Sequence, residues 1–263
     1  MIIQLLLFSF VGIAAGISSG LLGISGGLIT IPCLAFIFTY MGLFPSDLMH
    51  IAIGTSLAAM VFNTLSASIS HHKRKGVLFH IIKPMSLGII LGAILGSVIA
   101  KFLPSKFLQY MFGVFEILLG VRYFLPKGKE SKHENLPSST ILSLISTGIG
   151  TISTILGIGG GIINVPVLTH YNINIKKAVG TSSVLSFIVS LIGAVSYLIL
   201  GMHTPLAADM VGYLYIPAFI AISLFSFISA PFGAYLSHQL STKVLKKVFG
   251  TLLLIAGVMM LVK

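Results

Sequence analysis

Long stretches without one charged side chain run through this sequence and leave little choice of fold. They cover roughly residues 1–41, 48–70, 84–100, 138–175, 178–202 and 210–242. A helix needs about 20 apolar residues to cross the hydrocarbon core, and only helices or closed barrels satisfy their own backbone there. These runs are too long for barrel strands. With 56% hydrophobic and 8% charged residues and a mean hydropathy of +1.07, the chain has too little polar surface for a soluble globule. The sequence therefore predicts an all-α polytopic membrane protein. Its first run lacks a basic leader and a small-residue cleavage site, so it is expected to be a mature transmembrane segment. The single cysteine, Cys33, excludes a disulfide framework or a cysteine-based metal site. Neither a metal nor another cofactor is expected.

An internal repeat organises these runs. GISSGLLGISGGLITIP at 16–32 returns as GTISTILGIGGGIINVP at 150–166, so that Gly16, Gly23, Gly26, Gly27 and Pro32 correspond to Gly150, Gly157, Gly160, Gly161 and Pro166. IGTSLAAMVFN at 53–63 matches VGTSSVLSFIV at 179–189, and LPSKFLQYMFGVFEILLGV at 103–121 matches LSTKVLKKVFGTLLLIAGV at 240–258. The polar stretch PKGKESKHENLPSS, beginning at 126, joins the copies. We thus expect a first transmembrane repeat over 1–125, a cytoplasmic linker over 126–137 and a second repeat over 138–263.

Loop charges orient the copies. GLFPSD at 42–47, before the first GTS segment, has no Lys or Arg, whereas HHKRK at 71–75, after it, has three. In the second copy the order reverses, with Lys176 and Lys177 before the GTS segment and none in GMHTPLAAD at 201–209. Placing HHKRK in the cytoplasm puts twelve of the sixteen basic residues there, as the positive-inside bias requires. The net charge of +11 then needs no nucleic acid. Equivalent loops on opposite sides imply inverted repeats with an odd number of crossings per half, three or five according to whether each glycine-rich hairpin re-enters or traverses.

The glycine clusters predict breaks in membrane helices, since Gly costs about 1 kcal/mol in a helix interior relative to Ala. Irregular backbone at membrane depth survives only where protein or a polar cavity surrounds it. Past each break, Thr30-Ile31-Pro32 and Asn164-Val165-Pro166 read as an N-cap followed by a proline in the first helical turn. The first short helix is expected from Ile31 to Met41, about 16 Å long, with its first turn deep in the membrane. Two helix N-termini from inverted copies would present N–H groups and positive dipole ends to an anion. Candidate substrate-binding residues are Gly26, Gly27, Thr30, Gly160, Gly161 and Asn164, with hydroxyls from Thr55, Ser56, Thr181 and Ser182, and Asn63 as a polar cavity residue. Gly88, Gly92 and Gly96 are read as close helix packing. Glu116, an acid within the run from Phe107 to Leu125, has Leu253 as its counterpart and is a candidate for proton coupling. Nothing supports an enzyme: there is no HExxH pair or nucleophile elbow, and there are five carboxylates in all.

The doubled glycine-rich segments ending in proline, each followed by a GTS helix, resemble the TauE/SafE sulfite exporter or anion permease family over essentially the whole chain. Ser25, where the second copy has Gly159, is a departure of the first glycine cluster from the second. The resemblance implies a multi-pass protein of the cytoplasmic membrane that moves sulfite, a sulfonate or a related sulfur or organic oxyanion. Its partners would be that small anion, the lipid bilayer, a proton as coupling ion and, in a homo-oligomer, further copies of the chain. A passive anion channel and an accessory membrane subunit are the alternative readings.

Overall fold

In a computed structural model of the chain, described for residues 2–22, 26–125, 136–202, 209–239 and 242–262, ten helices follow one another. They are α1 (Ile2–Leu22), α2 (Gly27–Tyr40), α3 (Leu48–Lys73), α4 (Phe79–Phe102), α5 (Ser105–Phe124), α6 (Ser139–Leu156), α7 (Gly161–His170), α8 (Ile175–Gly201), α9 (Ile216–Gln239) and α10 (Thr242–Val262). Seven are long and apolar enough to cross a membrane. Their outward faces keep large apolar side chains in the open, as in Phe10 at 72% and Leu144 at 74% exposure, which suits lipid and not water. Before α9, Met210–Val211 and Leu214–Tyr215 form a two-stranded antiparallel hairpin, β1 and β2, turned at Gly212.

The helices pack in pairs: α1 along α9, α4 along α6, α5 along α10 and α3 along α8. Matching α1–α5 in order to α6–α10 exchanges the first two pairs and maps the last two onto themselves. α3 lies at the centre, with 78% of its apolar span buried. The linker residues 126–135, and residues 23–25 of the first glycine cluster, lie outside the described residues.

Small residues set the helix spacing. In α4, Gly88, Gly92 and Gly96 lie one turn apart and face the carbonyls of Ser143, Thr147 and Thr151 in α6, so that a side chain on any of them would strike backbone. Between lipid-immersed helices there is no hydrophobic gain on association, and close packing replaces it. Gly12 and Gly16 of α1 meet Ile222 and Ser226 of α9 in the same manner.

The short helices begin earlier than the sequence predicts. The N-caps are Gly26 and Gly160, not Thr30 and Asn164, and α2 and α7 run for 14 and 10 residues. The reason is local: φ of +20° at Gly26 and +76° at Gly160 turns the chain straight into a helix, a geometry that costs an L-residue about 1–2 kcal/mol. Thr30 instead folds its hydroxyl back on the Gly26 carbonyl at 3.1 Å. Pro32 and Pro166 then stand within the helices and leave the carbonyls of Leu28 and Ile162 without the usual i+4 donor.

Replacing Gly92 by Leu should force α4 from α6 and cost roughly 1–3 kcal/mol or more, seen as a lower thermal midpoint in detergent. Gly148→Leu, at a position with nothing within 4 Å of its added Cβ, should leave the midpoint unchanged.

Candidate functional site

The two breaks meet. α6 ends at Leu156, and Gly157, Gly159 and Gly160 all take positive φ before α7 starts. The N-terminus of α2 comes up against this turn, where a Cβ on Gly27 would lie 2.5 Å from the Gly157 carbonyl oxygen and 3.4 Å from Ile158 Cα. Met60 of α3 packs beside Gly27, and Ile53 beside Gly157. A side chain at Gly27 would therefore separate the segments.

At each helix start the first intrahelical bonds come from the third and fourth residues. Ile29 and Thr30 donate to the Gly26 carbonyl, both at 3.0 Å, and Ile163 and Asn164 to that of Gly160 at 3.1 and 2.9 Å. The N–H groups of Gly27, Leu28, Gly161 and Ile162 lie ahead of the helical ladder, and no side chain caps either helix. Such an end carries a partial positive charge of about half an elementary unit.

Uncharged polar side chains surround this junction with unused hydrogen-bonding capacity. Asn164 is fully buried and neither amide atom has a partner. Its Nδ2 lies 3.3 Å, and the unpartnered Ser153 Oγ 3.0 Å, from where a Cβ on Gly160 would stand. On α8, Ser182 donates to the Gly161 carbonyl at 3.3 Å, and Ser186, one turn on, is buried with an unpartnered hydroxyl. On the α2 side, Asn63 of α3 sets its Nδ2 3.2 Å from the corresponding point at Gly26, and its Oδ1 is unpartnered. Buried polar groups in folded proteins are almost always paired, and at this junction several without a partner lie together.

The structure thus gathers Gly26, Gly27, Gly160, Gly161, Asn63, Asn164 and Ser182 about the two breaks. Thr30, the repeat counterpart of Asn164, spends its hydroxyl within its own helix. Ser56 reaches the junction only through Met60, whose Sδ accepts its hydroxyl at 3.6 Å. Ser153 and Ser186 were not picked out from the sequence. Ser186 follows Ser182 at helical spacing, and Ser153 stands one turn before the Gly157 break, but serines at other positions share such spacings.

The GTS threonines hold other segments of the chain. Thr55 Oγ1 accepts from the Tyr215 N–H and Thr181 Oγ1 from the Leu78 N–H, both at 3.0 Å. The neighbouring Gly54 and Gly180 let the carbonyls of Tyr213 and Gly76 come close. Gly-Thr in each copy thereby clasps the chain that leads into α9 or α4. Each partner in one clasp is the repeat counterpart of the partner in the other, since Gly76 and Leu78 correspond to Tyr213 and Tyr215 at the spacing of the third repeat segment. Glu116 lies elsewhere, between α5 and α10.

Thr55→Val keeps the shape but strands the buried Tyr215 N–H, and should cost about 1–3 kcal/mol in thermal or denaturant unfolding. Ser56→Ala, which loses only a thioether contact, should fall well below that.

The family profile for "Sulfite exporter TauE/SafE" matches residues 8–260. A Haemophilus influenzae protein named "Probable membrane transporter protein" is 31% identical over 262 residues, covering 98% of this chain and 98% of the relative. A relative of the same description from Methanocaldococcus jannaschii is 30% identical, covering 97% of this chain and 94% of its own length. Bacillus subtilis YunE, also named a probable membrane transporter protein, is 27% identical over 94% of this chain and 93% of its own. No solved structure matches. With seven helices fit to cross a bilayer and a family match spanning nearly its full length, this multi-pass membrane protein belongs to the sulfite exporter TauE/SafE family.

Proposed function

We propose that the chain is a secondary transporter that carries a small oxyanion, sulfite or a sulfonate, across the cytoplasmic membrane by alternating access, and that the anion binds where the two glycine breaks meet. The carrying observation is the set of buried, unpartnered donors at the start of α7. Asn164 Nδ2 and Ser153 Oγ stand beside Gly160, next to the N–H groups that precede the α7 ladder. Hydrogen bonds to a charged acceptor are worth roughly 1.5–3 kcal/mol each, and dipole ends favour negative charge. Several neutral donors can hold an oxyanion without a fixed counter-charge that would oppose its release.

The transport reading draws on the family match and on the names of the relatives. Alternating access draws on a proposed division into inverted halves, 1–125 and 138–263, joined by the 126–137 linker. Three features support that division: reversed loop charges, exchange of the α1–α9 and α4–α6 pairs, and the two corresponding Gly-Thr clasps. In such a carrier the halves rock about a fixed central site. Complete burial of Asn63, Asn164 and Ser153 is what an occluded carrier site requires, and favours a carrier over a water-filled pore.

Purified protein in liposomes should show saturable uptake of radiolabelled sulfite or a small sulfonate, with trans-stimulation. Paired Gly160→Leu and Gly161→Leu substitutions should abolish it. Asn164→Ala should raise KM by roughly 10-fold or more, the equivalent of one charge-assisted hydrogen bond. Flux without saturation would replace the carrier by a channel, and no flux of either anion would overturn this assignment of substrate.

A further inference from the structure

Glu116 is the carboxylic acid that the anion site leaves unused. It is fully buried in α5, and neither carboxyl oxygen has a hydrogen-bond partner. It stands within a close stretch of the α5–α10 contact. On one side of it, a Cβ on Gly113 would lie 3.0 Å from the Gly257 carbonyl oxygen, and on the other, a Cβ on Gly120 would lie 3.0 Å from that of Gly250. A Cβ on Gly257 would stand 3.1 Å from Glu116 Cβ. Between two such backbone approaches there is little room for water. An ionised carboxylate without a partner is among the most costly groups to bury, whereas a neutral carboxyl costs only its unmade hydrogen bonds.

Among the described residues no ion pair to Glu116 is formed. α10 holds its ionisable side chains, Lys243, Lys246 and Lys247, in its first turns ahead of Phe249, and α6 carries none. From α2, Cys33 stands within electrostatic range of Glu116. α3 meets α5 where Ser105 Oγ accepts from the Met49 N–H at 2.9 Å, so His50 lies at the far end of α5. On α5 itself, Tyr123 is two turns from Glu116, its ring edge-on to Phe249 of α10. Gln109, two turns the other way, donates to the Met260 carbonyl at 2.8 Å. Lys106, Tyr110 and Arg122 complete the ionisable groups of α5.

We propose that Glu116 is a proton-binding site that couples proton movement to transport: it holds a proton while α5 and α10 are closed and releases it to water when they part. This rests on the transporter reading above. α5 and α10 come from different halves of the chain, and α10 also packs against α2, whose N-terminus borders the anion site. A relative movement of the halves therefore has to act on the contact that shuts Glu116 from water. No bond other than O–H is made or broken; the proton leaves a carboxyl oxygen for the aqueous side then exposed. The repeat counterpart Leu253, 1% exposed on α10, has no proton to give, so one proton site serves each cycle.

Two measurements separate this from a purely structural role. Infrared difference spectra between wild type and Glu116→Gln should contain the C=O stretch of a protonated carboxylic acid at neutral pH. In liposomes, a gradient of one pH unit should drive about tenfold anion accumulation in the wild type for one proton per anion. Glu116→Gln and Glu116→Leu should accumulate nothing above equilibrium, while anion-for-anion exchange, which needs no net proton, persists. An ionised carboxylate in the spectra, or gradient-driven accumulation kept by Glu116→Gln, would overturn the proposal. Absence of all anion flux in the wild type would overturn the transport reading and the coupling with it, while the infrared band still reports whether Glu116 holds a proton.

Discussion

Every backbone N–H and C=O in a bilayer must find its partner within the protein, and the rest of this structure is arranged around two places where the helical ladder stops. Elsewhere among the described spans the helices run on, interrupted only at the donors that Pro32, Pro84, Pro166 and Pro231 lack. At Gly26 and Gly157–Gly160 the chain turns by conformations that suit glycine, and two helix starts are left with N–H groups ahead of the ladder. The breaks are tolerated because they are covered: by each other, through the Gly27–Gly157 contact, and by α3 and α8. Close approach of α4 to α6 and of α1 to α9, at glycines, closes the shell about them.

The junction differs between its two sides in a way a strict repeat would not. Thr30 satisfies itself where Asn164 does not, and Met60 stands where the second copy has Ser186. Asn63, by contrast, faces Gly26 while its counterpart Val189 is apolar. Unused hydrogen-bonding groups thus concentrate at α7, with one amide on the α2 side. In the proposed carrier, a pseudo-symmetric frame would give the halves two equivalent ways to move, and an asymmetric lining would give the anion one preferred seat.

The parts of this that were legible in the sequence are those fixed by local chemistry. Uncharged runs longer than a bilayer is thick could be nothing but membrane helices, and the GxxxGxxxG spacing of Gly88, Gly92 and Gly96 marked a packing face. Glycine clusters located the breaks, but the helix starts were misjudged by four residues. Proline was expected in the first turn, whereas left-handed glycine permits an earlier start and leaves the proline further in. What escaped depends on approach between distant segments. Nothing in Thr55 or Thr181 reveals that each meets an N–H more than 100 residues away, and the free hydroxyls of Ser153 and Ser186 are unusual only because nothing nearby bonds them.

The central claim, that the junction is one anion site reached from both sides in turn, is tested most directly by access. With Cys33→Ala as background, Ser186→Cys would be labelled by a membrane-impermeant maleimide from each face of oriented proteoliposomes, with and without a small sulfonate. Labelling from both faces, suppressed by the sulfonate, is the expected result. Labelling confined to one face under every condition, or indifferent to the anion, would contradict it.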